Sequence, residues 1–144
     1  ELGVPVIVEA DGARRMPCKV PAAHEPVIVP RTTTVCSVYG LDAIGQRICD
    51  CCFRSELAAE VLGKRETDRL EAADLAKIAA DGNGGCKGVK RGMDHWVILN
   101  KADTDQRKES AEEVCRELER YGNRRILITF SEETERSEMF VQKQ

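Results

Sequence analysis

A strand-like stretch that runs into charged residues raises the first question of chemistry in this chain. Val4–Val8 is apolar and mostly β-branched, and Glu9, Asp11 and Gly12 follow it. Two carboxylates at alternate positions of an extended chain point the same way, so both could reach one Mg²⁺ ion or its water shell. Gly12 permits a tight turn close to a phosphate. A solvated strand end would use the same residue types without chemistry, and the pair alone slightly favours that alternative.

A second candidate lies at Val97–Asp103, where an apolar run leads into Asn100, Lys101 and Asp103. This Asn-Lys-x-Asp spacing fits guanine recognition. An ionised Asp103 can accept both N–H groups on the guanine edge, and the Lys101 stem can lie over the ring. Asn100 would hold the loop through backbone hydrogen bonds. An ordinary strand-to-helix loop also uses Asn and Asp as turn and capping residues, and the motif alone leaves both interpretations open.

Strand-like and helix-like patterns alternate along the chain. Strands are predicted at Val4–Val8, Val35–Tyr39, His95–Leu99 and Ile126–Thr129, and helices at Ser55–Leu62, Ala72–Ala80 and Asp105–Tyr121. The last helix carries one apolar stripe, made of Ala111, Val114, Cys115, Leu118 and Tyr121. Ser55 is the expected N-cap and Gly63 the expected stop of the first helix. This alternation predicts an α/β fold with a largely parallel sheet, and such sheets bind ligands at the carboxyl ends of their strands.

Composition narrows the class of protein. The 144 residues are most simply one α/β domain, 1–144, with a polar and loosely ordered tail at 131–144. A formal net charge of -3 gives no reason to expect nucleic acid as a partner, since nucleic-acid binding normally demands a basic face, and no apolar run approaches a membrane span. Seven cysteines in a chain that is 33% charged favour a reducing cytoplasm over a disulfide framework. The proline-rich segment Met16–Thr34 is predicted to be a long irregular loop, a kind of segment that is often functional.

A phosphate loop of the form G-x-x-x-x-G-K-S/T does not occur in the sequence. The glycine cluster at Gly82–Gly88 lacks the spacing and follows a helical pattern. Without that loop there is no nest of backbone N–H groups for the β- and γ-phosphates. If the domain binds nucleotide, its phosphate loop is expected upstream of Glu1, or it has been lost.

The histidines and cysteines give weaker signals. Cys49–Cys52 contains a C-x-x-C pair with a third cysteine inside, but a structural zinc site needs a second pair, so metal or thiol chemistry at this run is a minor hypothesis. His95 begins a strand pattern and is interpreted as structural. His24 lies in the long loop beside Glu25 and is a candidate to face a ligand.

A series of motifs resembles one family. In order, VEADGARRMPCKVPAAHEPVIVPRTTTV, GLDAIGQ, RSELAAEVLG, GGCKGV and LNKAD resemble the YqeC-type selenium-dependent molybdenum hydroxylase accessory proteins over nearly all of Val4–Asp103. The resemblance implies a P-loop NTPase-like fold, with a phosphate loop upstream of this chain. It also implies a role in maturing a selenium-containing cofactor. Phe53 and Ser55 depart from the histidine and proline expected there, and Lys90 stands where proline is common.

Matching motif positions also implies roles for single residues. Glu9 and Asp11 would be catalytic, by coordinating magnesium or orienting water. The residues expected to bind nucleotide are Arg14 and Lys19 at the phosphates and Asn100, Lys101 and Asp103 at the base. The ligand or client loop would contain His24, Glu25 and Asp42. The implied cofactor is Mg²⁺ with GTP or ATP.

The sequence therefore predicts a cytoplasmic, GTPase-like accessory protein whose partner is a molybdenum hydroxylase or its cofactor-maturation machinery. Hydrolysis is expected only if a phosphate loop is encoded upstream. One alternative is a non-catalytic module that docks on the hydroxylase or carries its cofactor. Another is a metal or selenium thiol carrier that uses Cys49, Cys51 and Cys52.

Overall fold

The structure is a computed structural model that describes residues 3–130. The tail predicted at 131–144 lies outside the described residues. In chain order, the helices and strands are β1 (Cys18–Lys19), β2 (Thr34–Gly40), α1 (Ile48–Cys51), β3 (Cys52–Phe53), α2 (Ser55–Leu62), α3 (Ala72–Ala80), β4 (Asp94–Asn100), α4 (Asp105–Arg120) and β5 (Ile126–Ile128). A 3-10 turn, Leu41–Ala43, follows β2. The predicted α/β class is confirmed.

The main sheet has three parallel strands in the order β2-β4-β5. Three of the four predicted strands form it, with ends shifted by no more than one residue. β1 and β3 pair in parallel as a separate two-stranded sheet. Parallel strands place their carboxyl ends along one edge, so the residues after β2 and β4 become neighbours.

The helices follow the predicted bounds closely. α2 and α3 match them, and α4 ends one residue early at Arg120. Gly63 ends α2 with φ 70, and its N–H donates to carbonyls of the last turn. Ser55, however, is not the N-cap: Arg54 holds that position with φ 64, and the Ser55 hydroxyl donates to Glu66 instead.

The core lies on one side of the main sheet. Val97 and Leu99 of β4 are fully buried and share one hydrophobic cluster with Leu75 of α3 and Val114 of α4. Tyr121 was predicted to extend the apolar stripe of α4, but it lies beyond the end of that helix and is exposed. No helix among residues 3–130 is long and apolar enough to cross a lipid bilayer.

The predicted first strand is wrong. Val4–Val8 forms no strand, and its apolar side chains are exposed, with Ile7 98% accessible. A strand needs a neighbour for its backbone hydrogen bonds and a layer to bury its side chains. Val4–Val8 lies beside no strand of the described part of the chain. Glu9 and Asp11 therefore follow a segment without regular secondary structure and do not stand at a strand end, which corrects their predicted placement.

Candidate functional site

The first group of candidate residues lies at the carboxyl ends of β2 and β4. Gly40 and Asn100 are register partners at these ends. Lys101 follows with φ 68, a left-handed conformation that turns the chain sharply out of the strand. Its Nζ lies 2.6 Å from Oδ2 of Asp42. The structure thus brings together Lys101 and Asp42, two predicted residues 59 positions apart.

Asn100 holds the loop as expected. Its Oδ1 accepts from the backbone N–H of Lys101 and from the hydroxyl of Thr129, both at 2.9 Å. Thr129 follows β5, and its N–H donates to Leu99. The side chain of Asn100 therefore ties the ends of two neighbouring strands together and fixes where Asn-Lys-x-Asp leaves the sheet.

Asp103 lies between this loop and the first turn of α4. Its Oδ2 is 3.5 Å from Nη1 of Arg107, a long contact for an ion pair. A cavity of about 350 Å³ opens beside it, and its lining comes from the 41–45 loop and from the start of α4, at Leu41, Asp42, Ile44, Gly45, Thr104, Gln106, Arg107 and Ser110. This volume is at the low end of the range for small-molecule sites. Oδ1 of Asp42 is buried and has no hydrogen-bond partner within the described part of the chain.

A second group surrounds Lys19, which is only 9% exposed. Its Nζ lies 2.6 Å from Glu25 and 3.0 Å from Asp11, and it donates to the carbonyl of Gly12 at 2.9 Å. Arg54 completes the group by donating to both carboxylate oxygens of Glu25, at 2.6 and 3.1 Å. The hydrogen bonds from Arg54, and then from Lys19, lower the pKa of Glu25 from 4.5 to about 2.

An aromatic ring organises the cations of this group. The guanidinium carbons of Arg14 and Arg54 lie 4.9 and 4.4 Å from the centre of the Phe53 ring, within cation–π distance. Arg14 and Arg54 both have positive φ, at 49 and 64, which is uncommon for residues other than glycine. We call Asp11, Arg14, Lys19, Glu25, Phe53 and Arg54 the Lys19 cluster. It contains three cations and two carboxylates.

The sequence missed two members of the Lys19 cluster. Phe53 was noted only as a departure from a family pattern, and Arg54 was given no role. Arg54 reaches Glu25 across 29 positions, and long-range pairs of this kind leave no local signal in a sequence. The charge of Arg54 and the aromatic residue beside it were the only hints.

The two groups border one another through Gly40. Its backbone N–H donates to the carbonyl of Pro17 at 2.8 Å. A Cβ at Gly40 would lie 2.3 Å from Oδ1 of Asp42 and 2.9 Å from Cβ of Pro17. Pro17 leads into β1 and Lys19, while Asp42 pairs with Lys101, so the predicted phosphate and base residues share one edge of the molecule.

Glu9 and His24 stay at the margin of this arrangement. Glu9 is exposed, and Asp11 pairs with Lys19. His24 is exposed, with Nε2 3.9 Å from Glu25. No group of three or more His, Cys, Asp or Glu residues within 3–130 is arranged to hold a metal ion. The roles of Glu9 and Asp11 with Mg²⁺ therefore stay predictions.

His95 belongs to a separate hydrogen-bonded network. Its Nε2 is 3.0 Å from the hydroxyl of Ser37, and its Nδ1 is 3.4 Å from Sγ of Cys86 and 3.4 Å from Nδ2 of Asn123. Burial lowers the pKa of His95, which favours the neutral ring. These contacts support the structural interpretation of His95.

Comparison with known proteins agrees with the resemblance seen in the motifs. The family described as YqeC protein matches residues 1–56. A protein of Escherichia coli (strain K12) described as uncharacterized protein YqeC is 29% identical over 97 residues, which cover 67% of this chain and 38% of that protein. These two findings support the predicted YqeC-type family. The chain thus spans well under half the length of this curated relative. No solved structure matches the chain.

Proposed function

We propose that the chain is the base-recognising part of a GTPase-like accessory protein that acts in the cytoplasm. It would serve the maturation of a selenium-dependent molybdenum hydroxylase or of its cofactor. The observation that carries the nucleotide-binding proposal is the Asn100–Asp103 loop, which leaves the middle strand of a parallel sheet and is held in place by the Asn100 side chain. The hydroxylase as client rests on the motif resemblance alone.

The base end is suited to guanine in two respects. Asp103 is 25% exposed and carries two carboxylate oxygens, the number that the paired N–H groups of guanine need. The adjoining cavity, of about 350 Å³, offers room beside the loop.

The phosphate end is only partly supplied by the described residues. Arg14, Lys19 and Arg54 provide positive charge that would offset the charge of phosphates. The nest of backbone N–H groups that holds β- and γ-phosphates would have to come from outside the described residues. Asp11 is the one predicted magnesium ligand in the Lys19 cluster, and it already pairs with Lys19. The residues present therefore fit the base end and do not form a complete magnesium site.

Asp103→Ala is expected to remove the guanine preference. A lost pair of hydrogen bonds to a charged acceptor is worth about 1.5–3 kcal/mol, so GTP affinity should fall roughly 10- to 150-fold while ATP affinity changes little. The measurement is a titration of fluorescent GTP and ATP, with Mg²⁺, into the full-length gene product and into the variant. Asp105→Ala is the matched control, because Asp105 is an exposed carboxylate two residues further on.

Two results would contradict the proposal in different ways. If GTP still outcompetes ATP in Asp103→Ala, the assignment of Asp103 to base recognition is wrong. If the unaltered protein binds neither nucleotide, nucleotide binding itself is wrong.

The second candidate function is a docking or cofactor-carrier module without hydrolysis. Exposed apolar side chains favour it, since Val6, Ile7 and Val38 are 78%, 98% and 58% accessible and so available to a partner. A module of this kind should bind its client equally well with and without nucleotide, which a pull-down in the presence of GTP, ATP or neither would measure.

A further inference from the structure

Three of the seven cysteines meet in the core behind the Lys19 cluster. Cys18, Cys51 and Cys52 are 1%, 0% and 2% exposed, and all the cysteines of the described residues are free thiols. Cys18 lies in β1, Cys51 ends α1, and Cys52 begins β3. A cluster of this kind needs its own explanation, because the proposed nucleotide site uses none of its members.

The geometry singles out one pair. Cys18 and Cys52 are register partners in the parallel pairing of β1 with β3, so their side chains leave the same face of that small sheet. Neighbouring strands lie roughly 4.8 Å apart, which falls within the Cα separation of roughly 4.4–6.8 Å that a disulfide requires. Both side chains are also buried within the same hydrophobic cluster.

We propose that Cys18 and Cys52 form a reversible disulfide, which makes this buried pair an oxidation site that joins β1 to β3. The oxidant class that suits it is a small disulfide such as glutathione disulfide. Cys51 lies in α1 and outside the strand pair, so it serves as a neighbour only.

The reaction with glutathione disulfide balances as two thiol–disulfide exchanges. One protein thiolate attacks a sulfur of glutathione disulfide, and the first glutathione thiolate leaves. The other protein thiolate then attacks the protein sulfur of that mixed disulfide and releases the second glutathione. The protein loses two electrons and two protons, and two glutathione thiols carry them away.

Burial sets the speed of this exchange. The neighbouring Cys52 thiol and burial raise the pKa of the Cys18 thiol, so little thiolate forms until a local opening admits solvent and oxidant. β1 and β3 have two residues each, and so short a pair opens more easily than the three-stranded sheet. Oxidation and reduction should both be slow compared with those of Cys36, which is exposed.

The bond would bear directly on the Lys19 cluster. Lys19 follows Cys18, and Phe53 follows Cys52, so the link would hold the backbones of these two residues together. A bond between Cys18 and Cys52 would close the loop between them and so reduce the conformational entropy of the unfolded chain. For a chain of this size we expect the oxidised protein to melt roughly 5–15 °C higher than the reduced protein.

The test is an equilibration of the purified protein in glutathione redox buffers. Equilibrium is approached from the reduced and from the oxidised side, free thiols are then alkylated, and peptides are mapped by mass spectrometry without reduction. The expected result is a peptide pair linked through Cys18 and Cys52, together with the rise in Tm. Cys51→Ala, the matched control in the same cluster, should keep both, and Cys52→Ala should lose both.

Glutathione adducts at Cys36 or Cys49, with no link between Cys18 and Cys52 at equilibrium, would overturn the proposal. A link between Cys49 and Cys52 in its place would overturn it as well. If Cys52→Ala does not fold, the test rests on the peptide maps of the unaltered protein and of Cys51→Ala, both of which should contain the link between Cys18 and Cys52.

Discussion

Replacing Glu25 with alanine should lower the free energy of unfolding by about 3 kcal/mol, the largest effect expected of a single side chain in the site. Glu25 is the common partner of two cations that are mostly buried, Lys19 and Arg54. Removing it leaves Arg54 without its bidentate partner and leaves Lys19 with Asp11 and the Gly12 carbonyl. Since both cations keep some solvent access, the loss belongs at the low end of the range for broken buried pairs.

The measurement is urea unfolding of the two proteins under the same conditions. Glu112→Ala is the matched control, because Glu112 sits on an exposed face of α4 and only approaches Arg116, at 4.0 Å. It should change stability by less than about 0.5 kcal/mol. Equal losses from both substitutions would show that the Lys19 cluster adds no more than an ordinary surface ion pair.

Glu25 also predicts a pH dependence. Its pKa is about 2 in the folded protein, against 4.5 ordinarily, so the unfolded chain binds more protons between these values. The stabilisation is fully present above pH 4.5 and is lost as the pH falls toward 2. Glu25→Gln cannot titrate, so the difference in Tm between the two proteins should shrink across this interval. A constant difference from pH 6 to pH 2 would show that Glu25 is not held as a stabilised carboxylate.

The sequence predicted those elements whose pattern is long enough to have a period. The strands β2 and β4 and the helices α2, α3 and α4 were placed within a residue or so, because burial of one face repeats along them. β1 and β3 have two residues each and α1 has four, too few for any period to be seen. At Val4–Val8 a strand was predicted where none forms. The residue types indicate a preference for burial, but they do not indicate whether a neighbouring strand is present.

The candidate site divides in the same way. Asn100, Lys101 and Asp103 were predicted together because one short loop carries all three, and Asn100 accepts a backbone hydrogen bond from Lys101 of the kind expected. The Lys19 cluster depends on contacts between three separate segments, around Asp11, Glu25 and Arg54. Its charges could be noted in the sequence, but their pairing is a property of the folded chain.

Gly40 supplies the second large prediction, because it is the point where the two groups of the site meet. Gly40 has φ -84 and ψ 126, which any residue adopts, so an alanine would meet only a steric obstacle. Its Cβ would lie 2.3 Å from Oδ1 of Asp42 and 2.9 Å from Cβ of Pro17. Either Asp42 rotates and weakens its pair with Lys101, or the segment that leads into β1 moves.

Gly40→Ala is therefore expected to cost about 2–3 kcal/mol of stability, as overpacking in a tight interior does. Gly82→Ala is the matched control: its Cβ would meet no atom within 4 Å and its φ is ordinary, so its effect should be close to zero. Both variants are compared with the unaltered protein by urea unfolding. If the two variants have equal free energies of unfolding, the residues around Gly40 can move to accept the methyl group without loss of stability.

A double-mutant cycle identifies which neighbour resists the added methyl group. If Asp42 is the main obstacle, Gly40→Ala should cost at least about 1 kcal/mol less in an Asp42→Ala background, because the nearest atom is then gone. If the cost is unchanged, Pro17 is the obstacle, and the methyl group displaces the segment that carries Lys19. The first result would show that the added methyl group mainly disturbs the pairing of Asp42 with Lys101. The second would show that it mainly disturbs the Lys19 cluster.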